Sequence, residues 1–70
     1  MKYLVIIEET NTGFSAYSPD LEGCVATGAN RADVERLMKE AIEFHLEGLK
    51  EEHYDIPVPH CYSTIMEIFT

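Results

Sequence analysis

Basic residues are scarce in this chain: five Lys and Arg stand against thirteen Asp and Glu, a formal charge of −8 over 70 residues. Proteins that grip nucleic acids gather phosphates with clustered Lys and Arg, so this balance argues against direct DNA or RNA binding and fits a basic protein partner better. An acidic surface also keeps an ordinary protein soluble, and charge alone leaves both readings open. Cysteine is nearly as rare. Cys24 and Cys61 could make one bridge at most, and no signal-peptide pattern opens the sequence, so both are expected as thiols in a reducing cytoplasm. No apolar run approaches the roughly twenty residues that span a bilayer, which leaves a membrane role without support. The length allows one domain, residues 1–70, near the size at which a single core barely offsets conformational entropy. Oligomerisation is the expected remedy.

What is present is pattern. Lys2–Glu8 reads as a first strand whose centre, Leu4-Val5-Ile6-Ile7, is apolar at consecutive positions. Strand side chains point alternately to opposite faces, so this run asks for cover on both. Thr10-Asn11-Thr12-Gly13 supplies turn chemistry, and Phe14–Ser18 with Cys24–Thr27 makes a hairpin that reverses between Asp20 and Gly23 after Pro19. Asn30 can cap a helix from Arg31 to about Glu52, with Asp33 at the positive end of its dipole. Val34, Leu37, Met38, Ala41, Ile42, Leu46 and Leu49 recur at spacings of three and four and form one apolar stripe, with His45 on its edge. Gly48 costs about 1 kcal/mol relative to alanine and is expected to weaken the last turn.

Pro57 and Pro59 make His53–Cys61 an extended connection, after which Tyr62–Phe69 reads as a final strand. A helical crossover normally returns the chain to a parallel neighbour, so this strand is placed beside the first. The expected fold is α+β, β-β-β-α-β, a four-stranded sheet of order 3-2-1-4 with one helix on one face. One helix leaves the other face open, although Leu4 to Ile7 send apolar side chains to both. A homodimer or higher even assembly is therefore expected, with Val5, Ile7, Ile65, Ile68 and Phe69 at the interface.

The order of the hairpin's parts carries a resemblance. Phe14, Ser15, Ala16, Tyr17, Pro19, Asp20, Leu21, Gly23, Cys24, Val25, Ala26 and Gly28, followed by Ala41-Ile42-Glu43 and His45-Leu46-Glu47-Gly48-Leu49, are similar to the pattern of the HicB-like antitoxins. Those are small acidic partners of the HicA RNA-cleaving toxins, and the similarity runs from about residue 3 to Pro59. The resemblance implies a partial ribonuclease-H-like fold and a small basic HicA-like toxin as partner. Two departures matter. Glu22 stands where the family pattern has a proline, and the chain ends at Thr70 without the DNA-binding segment that many HicB proteins carry, so operator binding is not expected.

Catalytic and metal chemistry find little to use. Glu8, Glu9, Asp20 and Glu22 are the carboxylates a magnesium-dependent nuclease would need, but Glu8 and Glu9 should diverge and Asp20 has a turn role. Among His45, His53, His60, Cys24 and Cys61, only His60-Cys61 are adjacent, and no pair has typical zinc spacing. No cofactor is expected, and Gly23 and Gly28 lack the spacing and the lysine of a phosphate loop. The polar helix face is more telling: Glu40, Glu43, Glu47, Glu51 and Glu52 meet only Lys39 and Lys50, and like charges four apart oppose the helix. A basic partner would relieve that repulsion.

The sequence thus reads as a non-enzymatic antitoxin that covers the active site of an RNA-cleaving toxin, with Tyr17, Asp20, Glu22, Glu43 and Glu47 as candidate contacts. A stand-alone homo-oligomeric binding module is the rival, and a vestigial nuclease a third reading.

Overall fold

Alternating residues on one side of a hairpin and a three-four stripe on a helix meet in a two-layer arrangement: β1 (Ile6–Glu9), β2 (Phe14–Ser18), β3 (Leu21–Gly28) and α1 (Arg31–Glu51). The computed structural model describes all 70 residues. The strands form one antiparallel sheet of order β1-β2-β3. β1 reverses into β2 through a turn in which the Thr10 N–H donates to the Gly13 carbonyl at 2.8 Å. Its ladder starts at Ile6, not Lys2, because Ile6 faces Tyr17 and β2 then runs out at Ser18.

The β2–β3 turn is tighter than the sequence suggests. Only Pro19 and Asp20 separate the strands, and the irregularity falls inside β3. Tyr17 faces Val25 while Ser18 faces Leu21, so Glu22, Gly23 and Cys24 bulge out of register. Gly23 takes a φ of +80° there, a conformation that costs a residue with a Cβ.

α1 packs on β3 and β2. The core between them is Ala16, Leu21, Cys24, Val34 and Met38, all buried. Leu37, Ala41, Ile42, Leu46 and Leu49 of the expected stripe, and His45 on its edge, are partly buried around it. Gly28 lets the helix start close to the sheet, because a Cβ there would lie 2.7 Å from the Val34 nitrogen. On the opposite face Ile6, Tyr17 and Val25 stand in one cross-strand row, with Val25 65% exposed. No helix is long and apolar enough to cross a membrane.

Both ends of α1 are closed by local chemistry. Asn30 Oδ1 accepts the Asp33 N–H at 2.8 Å, as its position predicts. At the other end Tyr54 N–H donates to the Leu49 carbonyl at 2.9 Å and His53 N–H to the Lys50 carbonyl at 3.1 Å. This crossed pair turns the chain through His53 at φ 60° and stops the helix three residues beyond Gly48.

The expected fourth strand does not form. The sheet has three strands, β1 lies at its edge, and the order 3-2-1-4 is wrong for this chain. After α1 the chain crosses the start of β1, where the Tyr3 hydroxyl donates to the Pro57 carbonyl at 2.6 Å, and reaches the β2–β3 turn at His60 and Cys61. From there Tyr62–Thr70 runs on without regular structure, every residue exposed. The alternation of Tyr62–Phe69 suits a strand, but a strand needs a neighbour, and the chain has been carried past β1 before the segment begins.

These backbone requirements predict opposite outcomes for two substitutions. Gly23→Ala is expected to lower stability by about 1–2 kcal/mol, the cost of a left-handed non-glycine residue, while His53→Gly should raise it by up to about 1 kcal/mol. Urea unfolding midpoints at constant slope measure both.

The Asp20 clasp and a candidate partner-binding surface

Asp20 gains a second task from the tertiary structure. Its Oδ2 accepts the backbone N–H of His60 at 3.4 Å and of Cys61 at 3.3 Å, across 40 and 41 positions of sequence. His60 Nδ1 lies 2.9 Å from Oδ1, too oblique for a hydrogen bond, so Oδ1 has an ionic neighbour only when His60 carries a proton. The carboxylate has no exposed surface, whereas the His60 ring is 78% exposed; a single layer of chain, not a deep core, covers Asp20. Burial pushes its pKa up, but hydrogen bonds from the Cys61 thiol and from the backbone of Cys61 and His60, with the His60 charge, outweigh that and hold it below the ordinary carboxylate value.

The same contact pushes the Cys61 thiol up, through its hydrogen bond to Asp20, then burial, then the carboxylate charge; burial alone raises Cys24. Both cysteines are free thiols and neither is poised as a nucleophile.

Asp20, His60 and Cys61 are the one group of three metal-ligating side chains the fold brings together, with ligand atoms within 4.8 Å of one another. Oxygen, nitrogen and sulfur donors of this kind suit zinc, but here they are engaged with one another in closing the chain onto the turn. Sequence spacing could not reveal the group, because Asp20 joins the adjacent pair only through the fold. His45, His53 and Cys24 stay outside it. The nuclease carboxylates fall apart as well: Glu8 and Glu9 sit at the first-turn end of β1, Asp20 and Glu22 at the opposite end of the sheet.

The candidate contact residues divide between two surfaces. Tyr17, 42% exposed, lies in the open-face row, and Glu22 is exposed in the bulge beside the turn. Glu43 and Glu47 are exposed on α1, across the sheet from Tyr17. Asp20, between these surfaces in sequence, turns its carboxylate inward to the clasp. Arg36 pairs with Asp33 at 3.9 Å and Glu40 at 3.6 Å, both exposed, and no ion pair reaches Glu43, Glu47, Glu51 or Glu52. Phe44, 79% exposed, stands among these glutamates, an apolar neighbour that the helical stripe did not include.

Residues 3–68 match the family described as the HicB_like antitoxin of bacterial toxin-antitoxin systems. The chain belongs to the HicB-like antitoxin family. Two solved structures share its fold, the HicA3 and HicB3 toxin-antitoxin complex and the antitoxin HicB3 alone, each at a TM-score of 0.70 and 37% identity over 81% of this chain. The match covers 66% and 42% of those chains. Among curated relatives, a 14.9 kDa protein from the rep-hol intergenic region of Haemophilus phage HP1 is 37% identical over 57 residues, and a UPF0150 protein of Thermoplasma acidophilum 36% over 58. Each alignment spans 81% of this chain, but 43% of the phage protein and 84% of the archaeal one. This HicB-like chain thus spans less than half the length of the phage relative.

The clasp predicts a pH dependence. A folded pKa below the unfolded one means that Asp20 contributes stability above its unfolded pKa, a contribution lost as pH falls through the folded value. Asp20→Asn keeps the turn residue's shape and is expected to flatten the loss of stability below about pH 4. It should also speed amide exchange at His60 and Cys61 near neutrality. An acid limb identical to that of the parent chain would assign the effect to other carboxylates.

Proposed function

We propose that this HicB-like chain is the antitoxin of a toxin-antitoxin pair and neutralises a small basic HicA-like ribonuclease by binding over its active site. The observation that carries the reading is the exposed run Glu43, Glu47 and Glu51 on α1, none of which forms an ion pair within the chain. RNA reaches a ribonuclease through basic groups, and an acidic protein surface competes for the same groups by occupancy and charge. Inhibition of this kind asks no chemistry of the antitoxin. That fits a chain whose carboxylates do not converge and whose thiols are held protonated. The complex of HicA3 with HicB3 supports a toxin as the partner class.

Glu43 and Glu47 supply the charge in this reading, and the exposed Phe44, one turn before Glu47 on the β3 flank of α1, supplies an apolar anchor. Tyr17 and Glu22 form the alternative contact on the hairpin. The proposal includes self-association, as a homodimer or a higher even assembly, supported by the apolar side chains that one copy leaves exposed.

The test is binding to the HicA-like product of the adjacent reading frame. The two proteins should co-purify, relieve the toxin's growth arrest together, and separate progressively with salt. Glu43→Lys with Glu47→Lys is expected to weaken the complex about tenfold or more, mainly through slower association. Tyr17→Ala with Glu22→Lys reports on the hairpin in the same assay. A complex indifferent to salt and to both pairs would refute inhibition by an acidic surface.

A further inference from the structure

Two parts of one missing ladder lie apart in this chain. The first is the outer edge of β1, which has no partner. Beside it and the residues leading into it runs a groove of about 690 Å³, lined by Tyr3, Val5 and Ile7 at every second position and by Met38, Ile42 and Leu46 of α1, with two glutamates and two lysines of α1 also in its lining. Period-two apolar side chains along an open strand edge are what a neighbouring strand packs against.

The second is the segment Tyr62–Phe69, whose backbone makes no hydrogen bond to the rest of the chain. Ile65 is 99% exposed, Phe69 90%, Met66 74% and Ile68 72%. The molecule is drawn out to 49 Å with a radius of gyration of 13.9 Å. A compact chain of this length would have about 11 Å.

The segment does not reach its own β1. The Tyr3–Pro57 bond and the Asp20 clasp carry the chain across the start of β1 and fix its exit at the β2–β3 turn. We propose that Tyr62–Phe69 of one copy pairs with the outer edge of β1 in a second copy, and that the exchange is reciprocal. The result is a closed two-fold dimer in which each sheet gains its fourth strand from the partner copy.

A second copy is the occupant because donor and acceptor sit in the same chain and match in pattern. Tyr62, Thr64, Met66 and Ile68 share one face without a charge, and Glu67 lies on the other. The uncharged face enters the groove. Two chains of charge −8 repel one another, so their contact has to be apolar and backbone-mediated, as an added strand is. The exchange specifies the self-association proposed above and needs no toxin.

The full chain with Met66→Asp and Ile68→Asp tests it, since both side chains are exposed in a single copy and the helix and sheet stand without them. Light scattering should give two copies for the parent chain and one for the variant, with unchanged far-ultraviolet circular dichroism. Amides of Tyr62–Phe69 should exchange about a hundredfold or more slowly in the parent than in the variant. Val25→Asp, on the open face, should leave the dimer intact. A parent chain that remains single, or a segment that exchanges at unprotected rates, overturns the proposal. So does a dimer that survives the double substitution or dissolves on Val25→Asp alone; either result leaves self-association standing through another face.

Discussion

An α-helix with its side chains is about 10–12 Å across and paired strands lie about 4.8 Å apart, so one helix covers two strands and little more. The rest of this structure depends on that width. α1 lies on β3 and β2, where Val34 and Met38 close over Ala16, Leu21 and Cys24. β1 falls at the margin of the helix, and Ile7, with Tyr3 and Val5 of the chain leading into the strand, lines a groove instead of a sealed core. Val5 and Ile7, expected at an oligomer interface, therefore lie along the unpaired strand edge and not on the open face, where Ile6, Tyr17 and Val25 are found.

The Asp20 clasp decides what happens at that edge. A proline and an aspartate suffice for a tight turn, and nothing local requires the carboxylate to look inward. Once it collects the His60 and Cys61 amides, it determines where the chain leaves the domain. A segment with the alternation of a strand then projects from the turn, away from the edge it could have joined. A local turn residue thus sets the topology of a segment forty positions later.

Charge and shape contribute separately to the antitoxin reading. The glutamates of α1 act at a distance and steer association, which suits a basic toxin. The apolar strand edge and the exposed segment act only on contact, which suits partners that share backbone hydrogen bonds. The two surfaces meet at Glu43, which belongs to the glutamate face and also lines the groove beside β1, so a toxin on α1 and a second copy in the groove would share that margin.

The hairpin, the helix with its Asn30 cap and the family pattern were legible in the residues, because each rests on neighbours within a few positions: turn chemistry, a three-four stripe, a side chain reaching the next turn. The same local signals could not place Tyr62–Phe69, since alternation marks a segment that can pair and is silent about whose edge it pairs with. The grouping of Asp20 with His60 and Cys61 was hidden for a related reason, as it depends on where an extended connection lands after the helix ends. The sequence by itself determined the hairpin, the helix and the sign of the net charge. Only the tertiary structure decided that the sheet stops at three strands and that β1 is its open edge, because pairing partners are chosen by where the chain is held in space.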